Sequence, residues 1–235
     1  MFSLKKRTAS VALVAGLALT MAACGGNDDT AAGGNGGGAN GGAETTQASP
    51  EPAAQIDQLS GEQTAVVLDP SFLEGITGLG LTPGMLGGGT LDADTGTIAF
   101  PITGGNVTYF DPASGVDPYV QGIILHEGSG LSLTGANGTV VELENFEVDP
   151  EQSLLFGKVT VDGEVFAERA DLFFLDGSTL NPLRPGDAPD TAVLQGTTVS
   201  LTETAANALN MVFETDALSE FFLVGVAEIT VNTAA

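Results

Sequence analysis

Short runs of β-branched and aromatic residues, broken every few positions by Gly, Asp, Asn or Pro, fill the chain from about residue 55 to its end. Strands bounded by turns are what such punctuation favours. Candidate strands fall at 64–69, 96–103, 106–111, 119–126, 130–134, 139–148, 153–161, 164–175, 193–201 and 227–232. Asp162-Gly163 is the strongest hairpin signal, because both residues accept the positive φ of a two-residue turn; Gly104-Gly105 predicts a second hairpin joining 96–103 to 106–111. In VELENFEV the apolar Val141, Leu143 and Phe146 break strict alternation, which predicts a bulge near Asn145. Residues 82–89 are too rich in Gly and Pro to read as regular structure, and 181–191 read as a polar, Pro-rich loop. PSFLEGITG at 70–78 suggests a helical turn with Phe72, Leu73 and Ile76 on one side. The one full helix is expected at 202–213, with Thr202 as N-cap, Ala205 at N3 and an apolar stripe of Leu209, Val212 and Phe213. The expected fold is mainly β, an antiparallel sandwich or barrel-like sheet stack with one late α-helix.

The N-terminus has a different character. Lys5, Lys6 and Arg7 precede an apolar run over 11–21, and small residues follow, so residues 1–23 read as a secretory signal peptide. Cys24, the only cysteine, comes directly after Met21-Ala22-Ala23. That arrangement resembles a lipobox, and a lipid on Cys24 gives an otherwise oxidisable thiol a use. Residues 24–54 are dominated by Gly, Ala, Asn and acidic residues, with no large aliphatic before Pro52; they read as a tether with roughly 30 Å of reach. The folded domain is then 55–235. The expected address is the extracytoplasmic face of the cell membrane, held through palmitate-type acylation.

Charge narrows the partners. Removing residues 1–23 takes three of the six basic residues and none of the 30 acidic ones, leaving Lys158, Arg169 and Arg184 and a net charge of −27. Nucleic acid is excluded as a partner, since phosphate binding needs Lys and Arg, and direct contact with anionic lipid is disfavoured. The acidity reads first as a solubilising surface. Catalysis is poorly provided for. There is one His and no Trp, a His/Cys zinc site cannot be assembled within one chain, and no G-x-S-x-G elbow, Walker or dinucleotide-binding pattern occurs. No catalytic residue and no metal ligand is assigned, and the chain is not expected to be an enzyme.

The candidate ligand-binding residues are His126, Tyr109, Tyr119 and Phe72, with Phe110 beside them. His126 ends an apolar strand in IILHEGSG, where a lone His is more often a hydrogen-bonded structural residue than a ligand. Tyr109 and Tyr119 are the only tyrosines; packing with a satisfied hydroxyl is their ordinary role, although Tyr is an accepted axial ligand of haem iron. The carboxylates of Asp92, Asp94, Asp111 and Asp117 are better explained by turns than by a calcium loop.

PSFLEGITG, GTIAFPITGG, IILHEGSGLSL, VELENFEVDP and VSLTETAANALNMVF, in this order across 64–231, resemble the HtaA domain family of bacterial surface haem-binding domains. The resemblance implies a mostly β fold with a late helix. It also implies a haem-ligating Tyr in the first block, supported by a His that matches His126. The Tyr position falls on Gly75, and the family's initial Trp is absent, so this is a divergent member lacking the ligating Tyr. The reading that follows is a surface-anchored lipoprotein with a non-catalytic domain binding an unknown small ligand or a surface protein, without haem as an assigned cofactor. The alternatives are haem binding in an uptake relay and a structural envelope protein.

Overall fold

A computed structural model describes residues 50–233. The expected signal peptide, Cys24 and the tether as far as residue 49 lie outside the described residues. Thirteen strands form one antiparallel sheet: β1 Ala54–Ile56, β2 Glu62–Leu68, β3 Thr82–Gly87, β4 Thr90–Asp92, β5 Thr97–Pro101, β6 Gly104–Tyr109, β7 Val120–Thr134, β8 Val140–Asp149, β9 Leu154–Val161, β10 Glu164–Asp176, β11 Arg184–Pro185, β12 Thr191–Leu201 and β13 Leu223–Asn232. Two helices accompany it, α1 Pro70–Gly78 and α2 Glu203–Val212. The sheet runs β1-β6-β7-β8-β9-β10-β12-β13-β2-β5-β4, with β11 on β12 and β3 on β7. It curls into a half-barrel, the barrel-like arrangement of the two expected from sequence.

Local signals carried through where they concerned single turns and caps. Asp162 (φ 50°) and Gly163 (φ 83°) make the tight hairpin between β9 and β10. Thr202 caps α2, its Oγ1 accepting from the Ala205 amide at 3.1 Å while donating to the Asp171 carbonyl at 2.7 Å. The stretch at 70–78 is a nine-residue helix rather than a single turn, started by Asp69, whose carboxylate accepts from the Ser71 amide at 2.8 Å, and by Pro70. Asp92 accepts from the amides of Asp94 and Thr95 at 2.9 and 3.4 Å, which makes that segment a turn. Asp111 does the same for Ala113 at 2.8 Å.

The bulge at Asn145 is present, and it has a purpose. Val141 and Leu143 point inward, Asn145 takes φ 54°, and Phe146 and Val148 then point inward on the opposite parity. The register with β9 shifts between Glu144 and Glu147. On β7 the same change occurs between His126 and Gly130, so Ile124 and His126 face in below the kink and Leu131 and Leu133 above it. Gly157 on β9 leaves room for it: a Cβ there would lie 3.0 Å from Phe146 Cδ1 and 2.7 Å from Leu172 Cδ1.

Four further expectations are corrected. Residues 82–87 are the strand β3, paired with β7 from Thr82–Thr134 to Gly87–Ser129; lying outermost beside β7, it tolerates Pro83 as a central strand would not. The segments at 96–103 and 106–111 do not form a hairpin. β5 pairs with β2, whereas β6 pairs with β7, so the chain between them crosses from one end of the curled sheet to the other. Ile102 donates its amide to Glu62 and Thr103 donates to Leu125, both at 2.8 Å, which fastens that crossing on both sides. Residues 119–126 and 130–134 belong to one bent strand, β7. The loop at 181–191 contains the short strand β11.

Candidate functional site

The concave side of the half-barrel holds two chambers. The smaller, about 120 Å³, is lined only by apolar side chains and glycine, with α1 and α2 contributing. The larger, about 590 Å³, lies towards the other ends of the strands. Ile98, Leu131, Phe173 and Val224 line both and form the partition between them. A volume of about 590 Å³ falls within the roughly 300–1,000 Å³ of small-molecule sites.

Strand alternation builds the larger wall. Ala227, Ile229 and Val231 on β13 face this space at the period of two that a pleated strand imposes, and on β12 Ala192 and Leu194 do so before, and Thr197 and Val199 after, a register shift between Gln195 and Thr197. The sequence signal for these residues was the alternation itself; it marked them as apolar but not as chamber wall.

His126 is 1% exposed and lines this chamber. Its Nδ1 lies 2.9 Å from the Pro101 carbonyl oxygen, which can only accept, so Nδ1 carries the hydrogen. Thr64 Oγ1, 3.2 Å away, then donates to Nε2. Burial lowers the imidazole below its ordinary pKa, despite backbone hydrogen bonds that oppose the shift. The ring is a neutral clamp across the closure of the half-barrel, joining β7 to β5 and β2. Phe100 packs between it and Phe146, with ring centroids 6.4 and 5.0 Å away.

Tyr109 and Tyr119 stand edge to face at 5.9 Å on the same chamber. Tyr119 donates to the Gly177 carbonyl at 3.3 Å, and burial, with Tyr109 beside it, raises its phenol above the ordinary value, so it remains protonated. Phe72 is elsewhere. It lines the smaller chamber and packs on Phe222 at 6.1 Å; Phe110 lines neither. Among the described residues, no three His, Cys, Asp or Glu side chains converge as a metal site would require.

No protein-family model and no curated protein matches the sequence. The structure does have solved counterparts. The crystal structure of the C-terminal domain of HtaA from Corynebacterium glutamicum superposes with a TM-score of 0.52, covering 74% of this chain and 98% of that one, at 17% identity. The fold is HtaA-like. A domain-swapped dimeric variant of the same domain matches with a TM-score of 0.44, covering 70% of this chain and 91% of that one, at 19% identity.

The HtaA-like fold does not bring with it the haem ligation that the family resemblance implies. Position 75 is Gly on α1, and a Cβ built there would lie 2.9 Å from Phe222 Cζ, so that space belongs to Phe222. The neighbouring Phe72, Leu73 and Ile76 line the smaller chamber, while His126 lines the larger. Position 75 itself lines neither chamber, so the implied Tyr and His positions do not share a pocket. Both His126 nitrogens are already engaged.

Proposed function

We propose that this chain is a lipid-anchored protein of the extracytoplasmic membrane face whose HtaA-like domain is a non-catalytic binding module, with its ligand held in the larger chamber. One observation carries the reading: a curled sheet that packs densely around Phe100, Phe146 and Leu143 nevertheless leaves about 590 Å³ unfilled on its concave side. Protein interiors are close-packed, and a space of this size is that of a small-molecule site. The absence of catalytic chemistry is supported by His126, whose ring is committed to Pro101 and Thr64 rather than to a nucleophile. Anchoring is supported by Met21-Ala22-Ala23-Cys24 and the Gly-rich segment after it.

Native mass spectrometry of the freshly purified chain tests the binding reading: a bound small molecule, lost on unfolding, is the expected result. A protein that is always ligand-free and binds no lipophilic probe would point to a structural envelope role instead. Radiolabelled palmitate should enter the wild-type chain and not Cys24→Ala, which should appear in the medium.

Haem capture in an uptake relay is the second reading, favoured by the placement of Tyr109, Tyr119 and His126 on one chamber. It requires a Soret band on haem titration that is lost in Tyr109→Phe or Tyr119→Phe.

A further inference from the structure

The larger chamber has a charge pattern as well as a size. No Lys or Arg lines it. The three basic residues of the described region are each paired with a carboxylate instead: Lys158 lies 3.7 Å from Glu144, Arg169 2.7 Å from Glu147 and Arg184 3.1 Å from Glu228. His126 is the one titratable base on the wall, and it is buried, neutral and hydrogen-bonded at both nitrogens. The acidic residues Asp117 and Asp176 do line the chamber, at the end where Asp117, Ser178 and Thr233 are solvent-exposed. Hydrogen bonds from Ser178 hold the Asp176 carboxyl below its ordinary pKa, so that end stays negative at neutral pH.

We infer that the chamber takes an uncharged, predominantly hydrocarbon molecule and discriminates against ligands with an anionic head. This rests on the reading of the chamber as a ligand site and adds the class of ligand. A hydrocarbon body entering it exchanges water for Ile124, Val148, Leu155 and Ile229, a transfer that is favourable in proportion to the apolar area covered. An alcohol at the trailing end can donate to Asp117 or Asp176. A carboxylate cannot: at that solvent-exposed end it meets no cation and has two like charges close by. The same argument applies to the two propionates of haem.

Retinol and retinoic acid share one carbon skeleton and differ in the head group, and both absorb in the near ultraviolet beyond the protein's own band, so equilibrium dialysis with absorbance detection reads each of them. With the purified, delipidated full chain at neutral pH, retinol should bind at least about tenfold more tightly than retinoic acid, the difference that repulsion by two nearby carboxylates makes. Leu194→Lys, which places a cation on the wall, should narrow or invert that ratio. Equal binding of the two retinoids, or a preference for the acid, overturns the charge rule while leaving the chamber a ligand site. So does an unchanged ratio in folded Leu194→Lys; if that variant does not fold, the wild-type ratio decides alone. Binding of neither retinoid overturns both this inference and the ligand-site reading beneath it.

Discussion

His126 carries more of the closure than its single position suggests. One imidazole joins the Pro101 carbonyl to the Thr64 hydroxyl, and the Ser129 hydroxyl donates to the backbone carbonyl of His126 at 3.0 Å. Replacing it with Ala takes the partner from the buried Thr64 hydroxyl and from the Pro101 carbonyl and opens a cavity beside Phe100, so urea unfolding should show a loss of about 2–4 kcal/mol. The pH dependence has a definite sign. Burial lowers the pKa of the folded imidazole from its ordinary 6.5, so below that pH the unfolded chain binds the extra proton first. The stability gained from a neutral ring is complete above about pH 6.5 and declines as pH falls through it. The urea midpoint of the wild type should therefore fall between about pH 7.5 and pH 5.5, a window above ordinary carboxylate titration, and His126→Gln should flatten that slope. Gly105 is the second residue on which closure depends. It takes φ 110°, and a Cβ there would sit 2.0 Å from the Ile123 carbonyl oxygen, so Gly105→Ala should destabilise by about 2 kcal/mol or more in the same assay.

Among the elements, α2 and β8 show what local chemistry can specify. Thr202 has a double role, capping the helix and donating to Asp171 on β10, which ties α2 to the sheet as well as starting it. Thr202→Ala should cost about 1–2 kcal/mol of thermal or urea stability, and Thr202→Ser should recover most of it. The bulge on β8 was legible because an inserted residue leaves a trace in the sequence: the inward apolar set changes parity between Leu143 and Phe146. β3 left no such trace. Thr82-Pro83-Gly84-Met85-Leu86-Gly87 has neither alternation nor β-branched content beyond Thr82, and it is a strand only because β7 presents a free edge to it. The Gly104-Gly105 signal was read as a hairpin for the opposite reason. Its residues suit a turn, but Gly105 is needed for close approach to β7, where the Ile123 carbonyl leaves no space for a side chain.

For the whole molecule, the dominant physical fact is net charge. The chain has six basic and 30 acidic residues, a net charge of −24, so its surface repels itself at low ionic strength. Raising salt from about 0.05 to about 1 M shortens the Debye length to about 3 Å and should raise the melting temperature by several degrees. Surface ion pairs oppose this little, because the Arg184–Glu228 and Lys158–Glu144 pairs are partly exposed and individually weak. The HtaA-like architecture tolerates this charge because its carboxylates are mostly at turns and on the outer face, while the concave side is aliphatic.

Turns, caps, the bulge, the acidic balance and the lipobox-like start are written in neighbouring residues, because they depend on dihedral preferences and on contacts a few positions apart. From these the mainly β class followed, and so did the late helix. Beyond the β9–β10 hairpin, which strand meets which was decided only by the curled sheet. Thr64 and His126 are 62 positions apart, and β5 and β6, adjacent in sequence, serve opposite ends of the sheet. Pairings of that range are set by the shared burial of many side chains together, and no single segment records them. The chambers are a further step removed: they are the space left over once the strands have met, with His126 on one side of the partition and the helix bearing Gly75 on the other.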